Sequence, residues 1–315
     1  MFGICLVGTG SIATQHIKAF SEIGGVHPRW VISRLEDQAL EFARAWKFEK
    51  SGIHLEEALS DAQVNLVVIA SPSDLHAAQT LAALRAGKHV VVEIPVALSF
   101  SEAEQVARCA EEEGRRVQVC HTMRSFPAIR ETRRRVQAGE LHVTQVAGFF
   151  AIPRRRNQGW AGQRNWIDNL LWHHGCHQVD AALWALGTGP EQVERVSAML
   201  GRTHPQFGMA MDVSLNFQTS SHQLVSQSLT YNTEQLCWEL RFIGDEDVLT
   251  FRNGRFFNEK DQSVMPDTDW RDLVAQNSRM LAALRDGSAS EYDVQGVLPA
   301  MRVLHQAQKS AEESL

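Results

Sequence analysis

Nothing in this 315-residue chain reads as a membrane span, a leader peptide or a disulfide framework. The longest apolar runs, such as Leu66 to Ala70 and Val90 to Val92, fall far short of the roughly 18 residues that a spanning helix needs. The start, Met1-Phe2-Gly3-Ile4-Cys5, carries no basic region and leads into glycines rather than a long apolar stretch, so no secretory signal is expected. Cysteine is scarce and scattered: Cys5, Cys109, Cys120, Cys176 and Cys237, with no C-x-x-C pair. That pattern fits a reduced, soluble, cytoplasmic protein. Low-complexity tracts, internal repeats and long Gly/Ser linkers are missing too. Basic charge is in deficit, with 31 Lys and Arg against 37 Asp and Glu, so nucleic acid is not an expected partner.

What is present points elsewhere. At roughly 150 residues per domain, the length predicts two domains, each large enough for its own core. Charge is also unevenly spread. Between Arg115 and Arg164 stand eleven Arg, no Lys and two acids (Glu131, Glu140), a local +9 that leaves −15 over the rest. A local anion site inside an acidic protein has that signature.

The first 120 or so residues alternate short apolar strands with helical segments, the strands being Ile4 to Val7, Trp30 to Ser33, Leu66 to Ala70, His89 to Glu93 and Val117 to His121. Short buried strands between helices predict an α/β domain with a doubly wound parallel sheet of Rossmann type, over 1–122. From about residue 142 the period changes to two. Met211, Val213, Leu215 and Phe217 share one face, Leu236, Trp238, Leu240 and Phe242 another, and similar runs lie near 143–151, 193–200 and 224–231. The second domain, 123–315, is therefore expected to be α+β with a largely antiparallel open sheet. Two closing helices are expected, one beginning near Asp269 with Thr268 as cap, the other through Val297, Met301 and Leu304.

The turn Gly8-Thr9-Gly10-Ser11-Ile12-Ala13 follows an apolar strand and opens a helical stretch. There the first glycine makes the bend, the second lets backbone N–H groups approach a pyrophosphate at the helix N-terminus, and Ala13 keeps the helix close to the strand. The end of the second strand decides between NAD and NADP. Where an acid would bind the ribose 2′-hydroxyl stand Ser33 and Arg34, a hydroxyl and a guanidinium suited to a 2′-phosphate. NADP is the expected cofactor; NAD is served if Glu36 or Asp37 turns in instead.

Gly8-x-Gly10-x-x-Ala13, then Ser71-Pro72 with His76, then Glu93-Ile94-Pro95 after the fourth strand, resemble the glucose-fructose oxidoreductase, inositol dehydrogenase and MocA family in order and spacing. The resemblance implies a Rossmann domain followed by an open-sheet domain that commonly mediates oligomerisation, here a homodimer. It places Glu93 near the nicotinamide ribose and Ser71, Pro72 and His76 against the cofactor. One departure stands out. The family's usual Glu-Lys-Pro puts a catalytic lysine where this chain has Ile94, which casts doubt on an ordinary sugar dehydrogenase. The stretch from Arg164-Asn-Trp166 through Leu170-Leu171-Trp172-His173-His174 to His177 and Asp180 resembles a branch sharing that apolar replacement. Members of that branch use NADP to oxidise the cyclic hemiacetal of an aromatic ring-fission semialdehyde.

On a regular helix His173, His177, Asp180 and Trp184 fall at i, i+4, i+7 and i+11, on one face. Polar residues along an otherwise apolar helix need partners, and a general base held by a carboxylate is one way to satisfy them. The wider family has Asp-x-x-x-His where this chain has His173-x-x-x-His177, and the resemblance makes His177 the base for the hemiacetal O–H proton. His173 or His174 would orient substrate or share the proton, and Asp180 would support the base. Imidazole, with a reference pKa near 6.5, suits proton acceptance at neutral pH. A metal is not expected, because His174 stands where a His-x-x-x-His metalloprotease carries its glutamate.

The expected substrate is a small, multiply anionic carboxylate, which guanidinium forks match. Arg124, just after the fifth strand, and Arg164, before the Trp-rich run, are the expected anion ligands, with Trp166 and Trp172 as the wall beside them. Arg133-Arg134-Arg135 reads as a solvated helix face. Arg154-Arg155-Arg156 is either a mobile flap or exposed charge. Two other functions compete: a sugar or polyol oxidoreductase with a histidine proton relay, and a catalytically silent cofactor-binding regulator.

Overall fold

The computed structural model describes residues 1–153, 158–159, 162–163, 169–189, 192–265 and 273–313, in two compact units. The first unit is built on a six-stranded, wholly parallel sheet of β1 (Phe2–Val7), β2 (Val26–Ile32), β3 (Lys50–Gly52), β4 (Leu66–Ile69), β5 (His89–Val92) and β6 (Val117–Val119), in the order β3-β2-β1-β4-β5-β6. Every residue of β4 is buried, as a strand covered by helices on both faces must be. Helices α1 (Ser11–Ile23), α2 (Glu36–Trp46), α3 (Leu55–Leu59), α4 (His76–Arg85) and α5 (Phe100–Glu112) provide the crossovers. Ala13, His16, Ile17 and Phe20, at helical spacing, turn one face of α1 to the core. Ser99 caps α5 by accepting the Glu102 N–H.

The second unit is built on a seven-stranded sheet: β7 (Val143–Ala151), β8 (Val193–Leu200), β9 (Asp212–Thr219), β10 (Leu224–Thr230), β11 (Cys237–Gly244), β12 (Val248–Arg252) and β13 (Arg255–Phe257). Its order is β8-β9-β10-β7-β11-β12-β13, antiparallel except for the β10–β7 pair. The register sorts the residues into two faces. Ala198, Leu215, Gln227, Gly148, Leu240, Phe251 and Phe256 run across the strands on one side, and all of them but Gly148 are buried. Met199, Ser214, Ser228, Phe149, Glu239, Arg252 and Arg255 run across on the other, where Met199 is 65% and Phe149 43% exposed. Gly148 is dictated by packing, since a Cβ there would meet the Gln227 side chain at 1.9 Å.

Helices α6 (Pro127–Gln137) and α7 (Cys176–Leu186) belong to the second unit, α8 (Leu273–Asp286) to the first and α9 (Leu298–Glu313) to the second. The expected division at 122 falls within two residues of the end of the first unit's opening run, but it assigned the whole of 123–315 to the second. The first unit's opening run ends at Cys120 but the unit also takes Asp272–Gln295. The reason is hydrophobic: Met280, Leu281 and Leu284 of α8 join Ile4, Ile17 and Phe20 in one buried cluster. The start expected for that helix at Thr268 and Asp269 lies outside the described residues.

Candidate functional site

Two sets of residues carry chemistry, one in each unit. In the first, the strand ends of the parallel sheet open into a cleft of about 710 Å³ lined by Gly8, Thr9, Gly10, Ser33, Arg34, Ser71 and Pro72, with Gln38 and Glu41 of α2 and Gln79 of α4. Gly8 has φ +113°, and a Cβ on it would meet the Ala70 carbonyl oxygen at 2.4 Å, so only glycine makes this bend. Above Gly10 there is open space, and α1 starts on Gly10 with no side chain capping its first turn. Bare main chain at a helix N-terminus is what a pyrophosphate requires, so the residues present fit a dinucleotide. Ser11 and Ile12 form the first turn of α1. Along the cleft the Thr9 and Ser33 hydroxyls hydrogen-bond at 3.1 Å, and Arg34 is exposed. Glu36 and Asp37 sit in the first turn of α2.

Two expected cofactor residues do different work. His76 is buried, with Nδ1 2.8 Å from the Pro95 carbonyl oxygen and Nε2 2.9 Å from that of Ser71. Its ring ties together the loops after β4 and β5 rather than forming the cleft wall. Glu93, closing β5, meets Nε2 of the fully buried His16 at 2.7 Å, while Asn277 Nδ2 lies 3.1 Å from Nδ1 of the same ring. An amide nitrogen only donates, so His16 accepts from Asn277 and donates to Glu93. Cys120 lies behind them, its thiol pushed well up by burial and by Glu93. His16, Glu93 and Cys120 are the one group of metal-ligating side chains that converges among the described residues. The sequence reading gave His16 no role. Ile94 is buried, and nothing cationic replaces the family's lysine at that position.

In the second unit the expected regular helix is interrupted. Leu171–Gly175 form a π-helical turn and only then does α7 begin, so His173 is not one α-turn above His177. Such turns recur at functional sites. Asp180, expected to support the base, is 2% exposed and receives Nε of Arg124 at 2.8 Å, with an Arg124 terminal nitrogen on its other oxygen. Burial works against the carboxylate, but the charges of Arg124 and His121 outweigh it and hold Asp180 below its ordinary range. His121, which the sequence reading used only as a strand end, is 1% exposed, with Nδ1 3.3 Å from Asp180 Oδ2. A histidine at the carboxyl end of a parallel strand is where such sheets place functional groups, and that was the available signal. His177 is half-buried, its ring edge-on to His121 with centroids 6.2 Å apart and 5.8 Å from that of Trp238.

Three expectations are corrected here. Arg124 is no open anion ligand: it is 2% exposed, forked onto Asp180, bonded to the Gly296 carbonyl at 2.7 Å and packed over Trp184. Trp172 is a core residue whose indole N–H is taken by Gln308 of α9, not a substrate wall. His174 is buried, stacked on Phe150 at 4.5 Å with Nδ1 2.7 Å from the Tyr231 hydroxyl, which makes it part of the packing rather than a proton carrier. His173 is half-buried beside it. Of the arginine run, Arg134 is solvated and paired with Glu131 and Glu140, but Arg133 packs on Trp184 and bonds its carbonyl. Arg164, Trp166 and Arg154-Arg155-Arg156 lie outside the described residues.

Residues 2–121 match the profile of the oxidoreductase family with an NAD-binding Rossmann fold, and residues 127–266 match that of bacterial oxidoreductase C-terminal domains. The chain is 32% identical over 315 residues to 4-carboxy-2-hydroxymuconate-6-semialdehyde dehydrogenase of Sphingobium sp. (strain NBRC 103272 / SYK-6), covering 98% of this chain and 99% of that one. It is 30% identical over 136 residues to the NADP-dependent scyllo-inositol 2-dehydrogenase of Bacillus subtilis, covering 42% of this chain and 38% of that one. Levoglucosan dehydrogenase, solved with NADH, shares the fold at a TM-score of 0.86 and 16% identity over 99% of this chain and 97% of that one. No helix among the described residues is long and apolar enough to cross a membrane. With a glycine turn built for a dinucleotide in one unit and an open-sheet second unit, both matched by family profiles, the chain belongs to the glucose-fructose oxidoreductase, inositol dehydrogenase and MocA family and is an oxidoreductase.

Proposed function

We propose that this enzyme is an NADP-dependent dehydrogenase that oxidises the cyclic hemiacetal of 4-carboxy-2-hydroxymuconate-6-semialdehyde to 2-pyrone-4,6-dicarboxylate, as in protocatechuate meta-cleavage. The observation that carries the reading is the exchange of proton acceptors: Ile94 occupies the lysine position, while the second unit offers the half-buried His177 beside a buried carboxylate that is held ionised. Bound in the cleft, the nicotinamide supplies the hydride acceptor. His177 takes the hemiacetal O–H proton, the C–H electron pair leaves as hydride, and the ring carbon becomes a lactone carbonyl. Arg124 and the neighbouring rings hold Asp180 ionised, so the histidine cluster takes up the proton beside an anion. Recognition of the substrate carboxylates rests on Arg164.

The NADP preference rests on Ser33 and Arg34, which line the cleft without an acid in the first turn of α2 among its lining residues. Arg34→Ala should weaken NADPH binding at least about tenfold and leave NADH within about twofold, read by fluorescence titration. Equal losses would return the choice to NAD. The sheet row carrying Phe149 and Met199 is proposed as the face of a homodimer, which sedimentation of the parent and of Phe149→Glu tests. As none of the five cysteines is in a disulfide, a cytoplasmic location is also proposed.

The assay is direct. NADPH should form from NADP and the semialdehyde, and His177→Asn should lower kcat at least about a hundredfold while NADPH still binds. Reduction of NADP by polyols or sugars but not by the semialdehyde would assign the chain to polyol chemistry, and no hydride transfer at all would make it a cofactor-binding regulator.

A further inference from the structure

The second unit holds another imidazole behind His177. His121 leaves β6 with Nδ1 3.3 Å from Asp180 Oδ2 and Nε2 3.9 Å from the Cys176 thiol, and its ring stands at 88° to that of His177, centroids 6.2 Å apart. Two imidazoles thus lie within electrostatic reach of one buried carboxylate, and His121 is the one with a ring nitrogen against it. Among the described residues, the charged or titratable groups facing this pair are Arg124 from the turn after β6, and Cys176 and Asp180 from α7. The strand β11 sets the uncharged indole of Trp238 against His177, while His174, on the preceding π turn, is directed to Tyr231. Arg124 and Asp180 oppose one another in charge, and a charge on each ring would place two positive charges side by side.

We propose that His121 is a positioning residue for His177: anchored on Asp180, it takes the proton that the buried carboxylate attracts and so keeps His177 in the form that accepts a proton from substrate. The inference rests on the reading of His177 as the base. Protonation of either ring disfavours protonation of the other, so the two titrate as a coupled pair. At an effective dielectric near 20, two charges at this separation move a titration by about one to two pH units. The residue acts on turnover only through His177, and it does so through charge, which a merely structural imidazole does not.

The test uses the full-length, isotope-labelled chain titrated by NMR, with the His121 and His177 ring resonances assigned in the parent itself by backbone-to-ring correlation. In the parent, His121 and His177 should each titrate with two inflections. In His121→Asn, which keeps an N–H for Asp180 without the charge, His177 should titrate in one step about one pH unit higher. Turnover at neutral pH should then fall about threefold, with KM within about twofold, and recover when the pH is raised by about one unit. His121→Phe, which preserves the ring volume, should move His177 in the same direction. Independent single-step curves in the parent, or a His177 titration unmoved in either variant, would overturn the proposal, and the parent measurement stands even if neither variant folds. If His177→Asn retains turnover, the base assignment and this inference fall together; if it is inactive while His121→Asn titrates like the parent, this inference alone falls.

Discussion

The two units recognise charge in opposite ways. The cleft of the first is built from main chain at strand ends, with Gly8 and Gly10 baring the backbone and a helix N-terminus supplying the positive end. The second unit uses side chains: Arg124, Asp180 and His121 form a cluster that is almost wholly withdrawn from water. A backbone site depends on the absence of atoms and is damaged by adding one. A buried ion pair depends on both partners and is damaged by removing one.

The sharpest way to break this contrast is at Asp180. Asp180→Asn strands the buried Arg124 charge and should cost about 3 to 5 kcal/mol of stability, read by denaturant unfolding. Because the folded carboxyl lies below the unfolded value of about 3.9, its contribution is present above that pH and is lost as pH falls through the folded value. Asp180→Asn should therefore flatten the acid limb of the parent's stability profile, and an unchanged limb would mean that the pair is not coupled to folding.

The next largest effect belongs to the first unit. Gly8→Ala places a Cβ 2.4 Å from the Ala70 carbonyl oxygen at a positive φ, and should cost about 2 kcal/mol together with at least about tenfold in NADPH affinity. The smallest comes from Trp172→Phe, which removes the N–H bonded to Gln308 and should cost about 1 kcal/mol while leaving KM for the semialdehyde unchanged. A large rise in KM there would restore Trp172 to the substrate wall.

The same contrast explains what the sequence made legible. Buried parallel strands are contiguous apolar runs, and a glycine turn between strand and helix is a local pattern, so β1, β2, β4, β5, β6 and the cofactor turn could be read directly. Strand β3, Lys50–Gly52, has no apolar signature and exists because the edge of β2 accepts a partner. The side-chain cluster was harder. Whether Arg124 faces solvent or Asp180 is decided by a residue 56 positions away, and no local period reports that. The π turn hid the true phase of His173 against His177, since a uniform 3.6-residue repeat was the only ruler available. His121 looked like the end of a strand, and its importance comes from α7. The arginine excess resolves in part into a buried partner for Asp180, a cation stacked on Trp184 and an exposed pairing with Glu131 and Glu140.

The central claim is that a histidine of the second unit does the proton chemistry that lysine performs elsewhere in the family. The most direct test is the rate of NADPH formation from NADP and the semialdehyde by the parent and His177→Asn, with NADPH binding measured alongside. Turnover in the parent, lost by at least about a hundredfold in the variant with binding intact, is the predicted result. Turnover that survives the substitution would contradict it.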